Sequence, residues 1–184
     1  MTNCVIVVGV WVVGDSYLAR ARPALADTLG SMGPVEWRVK GGWKWRHYRP
    51  AIDDLIANSA RQPRILVLHL GSNDLGVTTG RELFEQIMEQ LLYTRLRLPH
   101  TRLLWSNMLP RCCWRYARDI KCVELGRKKL NRRVANLMRT IDGEVIRNDF
   151  IYPGVDHYIS DGVHLTPVGL HIFCDDIRCS ISSS

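Results

Sequence analysis

The sequence predicts an α/β domain built on a five-stranded parallel sheet with helices covering both faces. Three observations carry this reading. Apolar runs alternate with helix-length amphipathic stretches along the whole chain. The first apolar run is continuous and rich in β-branched residues, the pattern of a strand buried on both sides. Glycine and proline punctuate the joints between runs.

The opening strand is expected over residues 4–13, Cys4-Val5-Ile6-Val7-Val8-Gly9-Val10-Trp11-Val12-Val13. It is too short to cross a bilayer. No basic segment precedes it and no small-x-small cleavage pattern follows, so it reads as a strand rather than a signal segment. Helix periodicity then covers about 17–30 and stops at Gly30, and Gly33-Pro34 turns the chain into a strand at 35–39. A helix at about 50–60 ends before Pro63, and the run Ile65-Leu66-Val67-Leu68-His69-Leu70 marks a strand over 64–70. Next come a helix at 80–97 closed by Pro99, a strand at 102–107, a long helix at 119–141 closed by Gly143, and a strand at 144–147. The last helix, about 167–179, opens on Thr166 as N-cap with Pro167 in the first position. The polar tail Ser180–Ser184 is expected to fray. There is no internal repeat or dividing linker, so residues 1–184 are expected to form one domain, excised from a longer polypeptide.

A chain of 184 residues is long enough for a sizeable core, and 46% hydrophobic with 23% charged residues excludes a disordered chain. The net charge of +7, from 25 Lys+Arg against 18 Asp+Glu, allows contact with an anionic membrane or nucleic acid through a basic surface. It is equally what a soluble protein with a basic exterior carries. The six cysteines, Cys4, Cys112, Cys113, Cys122, Cys174 and Cys179, form no Cys-x-x-Cys pair and no zinc-type spacing, so no metal is expected. A bridge between Cys174 and Cys179 would require a helix to fold back on itself. A reducing, cytoplasmic compartment is the expectation.

Three short strings carry chemistry. Gly14-Asp15-Ser16 ends the first apolar run and precedes a helix, placing a serine at the sheet's C-terminal edge beside helix N–H donors. Gly71-Ser72-Asn73-Asp74 ends the third run on the same edge, where the Asn73 amide is a candidate oxyanion donor. Asp161-Gly162-Val163-His164 precedes the last helix, and its spacing lets Asp161 accept from His164 Nδ1 while Nε2 faces Ser16. Gly41-Gly42, after the second run, supplies a backbone that approaches a ligand closely. Each string alone is also an ordinary turn or cap. Jointly, in the order Ser, Asp, His, they form a hydrolytic set laid out unlike chymotrypsin or subtilisin.

Gly14-Asp15-Ser16, Gly42, Gly71-x-Asn73-Asp74 and Asp161-x-x-His164 resemble the four blocks of the SGNH (GDSL-type) hydrolases, across residues 14–164. The resemblance implies a three-layer α/β/α flavodoxin-like domain that needs no cofactor or metal and hydrolyses a small ester or lipid through a serine acyl-enzyme. It makes Ser16 the nucleophile and first oxyanion donor, Gly42 (preferred over Gly41) and Asn73 the other donors, His164 the base and Asp161 its orienting carboxylate. Tyr17 stands where Leu is usual and Trp43 where a small polar residue is common, so both bear on the shape of the acyl pocket. The compact domain with basic, Trp-rich loops is also similar to SGNH domains encoded by vertebrate retrotransposons.

Other features divide between function and packing. Trp43-Lys44-Trp45-Arg46-His47-Tyr48 interleaves rings and cations, either to stack on bases or meet a membrane, or to pack over the site. Leu109-Pro110-Arg111-Cys112-Cys113-Trp114-Arg115-Tyr116 follows the fourth strand, and Trp114 and Tyr116 are candidates for an apolar lid over the substrate pocket that Tyr17 and Trp43 also hem. Arg127, Lys128, Lys129, Arg132 and Arg133 share a helix with Leu125, Leu130, Val134 and Leu137, which reads as a solvated face beside an apolar stripe, or as a phosphate-binding face. His69 reads as a core residue and His157 as a rival base. Two functions follow: an esterase for short acyl chains such as acetyl, or a binding module for nucleic acid or anionic lipid with residual esterase activity.

Overall fold

A computed structural model describes residues 8–183. Its strands are β1 (Val10–Gly14), β2 (Val35–Val39), β3 (Ile65–His69), β4 (Arg102–Ser106) and β5 (Glu144–Ile146). Its α-helices are α1 (Ser16–Gly30), α2 (Tyr48–Asn58), α3 (Gly80–Arg97), α4 (Ile120–Thr140) and α5 (Pro167–Ser182). The strands form one parallel sheet in the order β2-β1-β3-β4-β5. This is the flavodoxin-like order, whose strand sequence reverses between β1 and β3.

Alternation along the strands explains the layers. Val10 and Val12 of β1, Ile65 and Val67 of β3 and Leu104 of β4 face one side, with Leu18, Leu25 and Leu29 of α1 and Phe173 and Ile177 of α5. Trp11, Val13, Leu66, Leu68, Leu103 and Trp105 face the other, with Ile52 and Leu55 of α2, Leu83, Ile87 and Leu91 of α3, and Leu130 and Val134 of α4. Both faces of the sheet are therefore covered, which is why its strands read as unbroken apolar runs.

The chain departs from the pattern-based reading at three element boundaries and on one helix face. Residues 4–7 of the expected opening strand, Cys4 included, lie outside the described residues; within them β1 starts at Val10 and runs through Gly14. α2 starts at Tyr48 behind a single 3-10 turn, Trp45–His47, because Trp45 and Tyr48 are core rings stacked 4.7 Å apart. On α4, Leu125 is 53% exposed while Arg127 is buried, donating to the Met108 carbonyl at 2.8 Å. The apolar stripe there is Leu130, Val134 and Met138, with Leu137 only half-buried. α5 continues to Ser182, so 180–182 are helical rather than frayed, held by buried Ile177 and Ile181.

β1 can end where it does because Gly14 has no side chain. A Cβ there would lie 2.4 Å from the His69 carbonyl oxygen and 2.6 Å from Leu18 Cδ1. The backbone of β3 cannot yield cheaply. Gly14→Ala is expected to cost about 2–3 kcal/mol of stability, the scale of core overpacking, read as a lowered urea midpoint at unchanged slope.

Candidate active site

Ser16 is the first residue of α1, directly after β1. Asp15 caps that helix by accepting from Tyr17 N–H at 3.1 Å. Ser16 N–H has no carbonyl four residues back to bond within the helix, and it sits at the positive end of the helix dipole. Asn73 follows β3 in a tight turn in which Asp74 N–H bonds the Gly71 carbonyl at 3.1 Å. The two therefore meet at the β1/β3 switch point, where open α/β sheets place their ligands.

The remaining loops converge on the same edge. Gly42 has a φ of 75°, a conformation that favours glycine, and Gly41 and Gly42 both border the cleft. Asp161 Oδ2 lies 2.6 Å from His164 Nδ1, and its Oδ1 accepts the backbone N–H groups of Val163 and His164, each at 2.8 Å. Three bonds thus lock the carboxylate and ring into one unit. The chain around it closes as a small hairpin through Ile159 N–H to the His164 carbonyl, 2.9 Å, and Thr166 N–H to the His157 carbonyl, 3.0 Å.

Ser16, Gly42, Asn73, Asp161 and His164 line a single cleft of about 690 Å³. Trp114 lines it too, with Lys44, Leu75, Arg111, Cys113, Arg115 and Tyr116 among its neighbours. Tyr17 and Trp43 are not on its wall. Tyr17 is buried behind the cleft and donates to the Val163 carbonyl at 2.6 Å. Trp43 stacks on His47, and its carbonyl accepts from Asn73 Nδ2 at 2.9 Å. His157 accepts from Tyr152 N–H at 3.1 Å and does not border the cleft. His69 is a core residue, with Nδ1 2.9 Å from Ser106 Oγ. Trp45 and Tyr48 are buried, which removes two rings from any base-stacking surface in that loop.

Two further residues shape the site: Asp74, whose place in the motif carried no role, and Arg111, which spacing did not single out. Asp74 accepts from Trp45 N–H at 2.8 Å and so anchors the loop that carries Gly42. Arg111 reaches Asn73 and Tyr17 across the cleft floor. Among the described residues, no group of three or more His, Cys, Asp or Glu side chains is placed to hold a metal ion. A hydroxyl, an imidazole held by a carboxylate, and N–H donors around one space are the parts an acyl-transfer site needs.

No protein-family model and no curated protein matches the chain by sequence. Solved structures do match by shape. A GDSL-like lipase from Bacteroides thetaiotaomicron superposes with a TM-score of 0.77 at 17% identity, covering 94% of this chain and 87% of its own. A member of the lipolytic G-D-S-L family from Veillonella parvula gives 0.73 at 11% identity, over 96% and 99% of the two chains. An acetyl xylan esterase, AlAXEase, gives 0.71 at 16% identity over 95% and 100%. The chain has the three-layer α/β/α fold of the SGNH hydrolases.

The ionisable groups under the cleft divide by environment. Burial would raise the Asp161 carboxyl, but the hydrogen bonds from the His164 ring and from the His164 and Val163 N–H groups outweigh it and take the pKa down to about 2. Asp161 is therefore an anion at every ordinary pH. Burial lowers His69 to about 3, aided by the Arg111 charge, so its ring is neutral. Burial raises Asp15 to about 6 against the opposing pull of Arg111, and its Oδ2 has no hydrogen-bond partner among the described residues. The folded chain thus keeps the Asp15 proton up to about pH 6, whereas the unfolded carboxyl releases it near 3.8. Between those values the folded state binds more protons, so this group's contribution falls as pH rises. His69 works in the opposite sense, because its neutral ring in the folded state lends stability that is lost as pH falls. Comparing Asp15→Asn with the native chain isolates Asp15, since His69 is common to both. From pH 4 to pH 7.5 the melting temperature of Asp15→Asn is expected to gain about 5 °C on the native chain.

Proposed function

We propose that the chain is a serine esterase. The observation that supports it best is that Ser16, an Asp161-bound His164, Gly42 and Asn73 border one cleft at the sheet's switch point. His164 takes the Ser16 proton through Nε2 as the hydroxyl attacks an ester carbonyl. Asp161 holds the ring in the tautomer that leaves Nε2 free to accept, and balances the imidazolium that forms. Ser16 N–H, Gly42 N–H and the Asn73 amide receive the developing oxyanion, each donor being worth about 10²–10³ in rate in other hydrolases. His164 then returns its proton to the departing alcohol. Water repeats the cycle on the acyl-enzyme, releasing a carboxylic acid.

The cleft wall favours a short acyl group. It mixes Lys44, Arg111 and Arg115 with Leu75, Trp114 and Tyr116, so there is no unbroken apolar channel for a long chain. The acetyl esterases among the structural neighbours accord with this reading. A second reading, a module that binds nucleic acid or anionic lipid, draws on the net charge of +7. Steep loss of binding with added salt would mark it. The full catalytic set in one cleft makes esterase chemistry the stronger conclusion.

Hydrolysis of p-nitrophenyl acetate by the purified chain tests the proposal. Ser16→Ala and His164→Ala are each expected to lose about 10³-fold or more in kcat. Equal rates for the native chain and Ser16→Ala would sink the assignment. Across p-nitrophenyl esters, acetyl is expected to outpace octanoyl by about tenfold, an effect of pocket fit on the order of 1–2 kcal/mol.

A further inference from the structure

Arg111 is a buried cation. It is 7% exposed, and no carboxylate lies within ion-pair distance of it among the described residues. Burying a guanidinium is costly, and an apolar side chain would fill such a space at less expense to stability. Its donors go instead to neutral groups of the site. Nη1 and Nη2 both donate to Asn73 Oδ1 at 3.3 Å, and Nε donates to the Tyr17 hydroxyl at 3.2 Å. Its Cζ lies over two rings, 5.4 Å from the centre of Tyr17 and 5.0 Å from that of Trp114.

These contacts settle which way the Asn73 amide points. One side of the amide meets the guanidinium, which only donates, and the other meets the Trp43 carbonyl, which only accepts. A flipped amide would set N–H against N–H and oxygen against oxygen. With Oδ1 pinned, one Nδ2 hydrogen goes to Trp43 and the second is free for the cleft. The cation on Oδ1 also draws electron density from the amide and strengthens Nδ2 as a donor. Through Tyr17, which donates to the Val163 carbonyl at 2.6 Å, the same guanidinium is tied to the segment between Asp161 and His164.

We propose that Arg111 is the positioning residue of the oxyanion hole: it acts through Asn73, fixing its amide to donate into the cleft. The proposal rests on the esterase reading, and the experiment separates the two. Arg111→Met, Asn73→Ala and the double variant are compared with the native chain on p-nitrophenyl acetate. Arg111→Met is expected to lower kcat about 30-fold with KM within about threefold, since the interaction lost belongs to the transition state. In the Asn73→Ala background the same substitution should cost under about threefold, because its route of action is already gone. An undiminished loss in that background, or an unchanged kcat in the single variant, overturns the proposal. If circular dichroism shows Arg111→Met unfolded, Arg111→Lys carries the same cycle, with a smaller loss expected because an ammonium lacks the planar fork. The side-chain amide resonances of Asn73 give a readout independent of catalysis. In the Arg111 variant the Asn73 Nδ2 nitrogen and proton shifts should move and the protons should exchange faster with water, and unchanged signals would count against the proposal. A native chain no faster than Ser16→Ala would instead overturn the esterase reading and leave the amide measurement to decide the role of Arg111.

Discussion

The site hangs on how one strand stops. β1 runs between β2 and β3, and at its end the backbone is claimed from both sides: Lys40 N–H bonds the Gly14 carbonyl and Asp15 N–H bonds the His69 carbonyl, each at 3.1 Å. The next carbonyl, that of Asp15, already accepts from Ala19 N–H at 3.0 Å and starts α1. Sheet pairing and helix therefore exchange control within two residues. Ser16 is delivered at that joint with a helix dipole behind it and two other strand ends beside it. The loops after β2 and β3 reach the same place because all the strands run in parallel.

Beneath the serine lies a polar floor that a stability-minded sequence would not choose. Asp15, His69, Ser72 and Arg111 are all buried, and Asp15 Oδ2, His69 Nε2 and Ser72 Oγ have no hydrogen-bond partner among the described residues. Each such group costs desolvation energy. The Arg111 charge makes the floor coherent, since it opposes protonation of Asp15 and protonation of His69 together. One guanidinium thus biases two buried groups while it holds an amide in place.

How much could be read beforehand follows from how local each feature is. Asp161 and His164 were legible because three residues of turn decide their contact, and Ser16 because a strand-to-helix joint decides its place. The layers were legible from alternation, yet the strand order came only with the family resemblance, since periodicity carries no information about neighbours across a sheet. Arg111 was not legible. Its partners are 94 residues away at Tyr17 and 38 away at Asn73, and an arginine in a loop with Cys, Trp and Tyr looks like any solvated charge. Trp45 and Tyr48 were open between surface and packing for a related reason. Their alternation with Lys44, Arg46 and His47 fits a surface as well as a packed loop, and the packing of α2 against α3 takes both rings inside, with Tyr48 sharing a hydrogen bond with Thr94 at 2.7 Å. Leu125 and Arg127 exchanged places on α4 because the carbonyl of Met108 and the carboxylate of Glu124 offered the arginine a buried seat.

The three hydrogen bonds between Asp161 and the Val163–His164 segment have a mechanical meaning. They make the carboxylate and the ring one stiff cassette. The cassette is fastened at Gly162, whose carbonyl takes the N–H groups of Cys112 and Cys113 at 2.9 and 3.1 Å, and to α1 through the Tyr17 hydroxyl, which donates to the Val163 carbonyl at 2.6 Å. The spacing from imidazole to hydroxyl is therefore set by Tyr17, the residue next to Ser16 on the same helix.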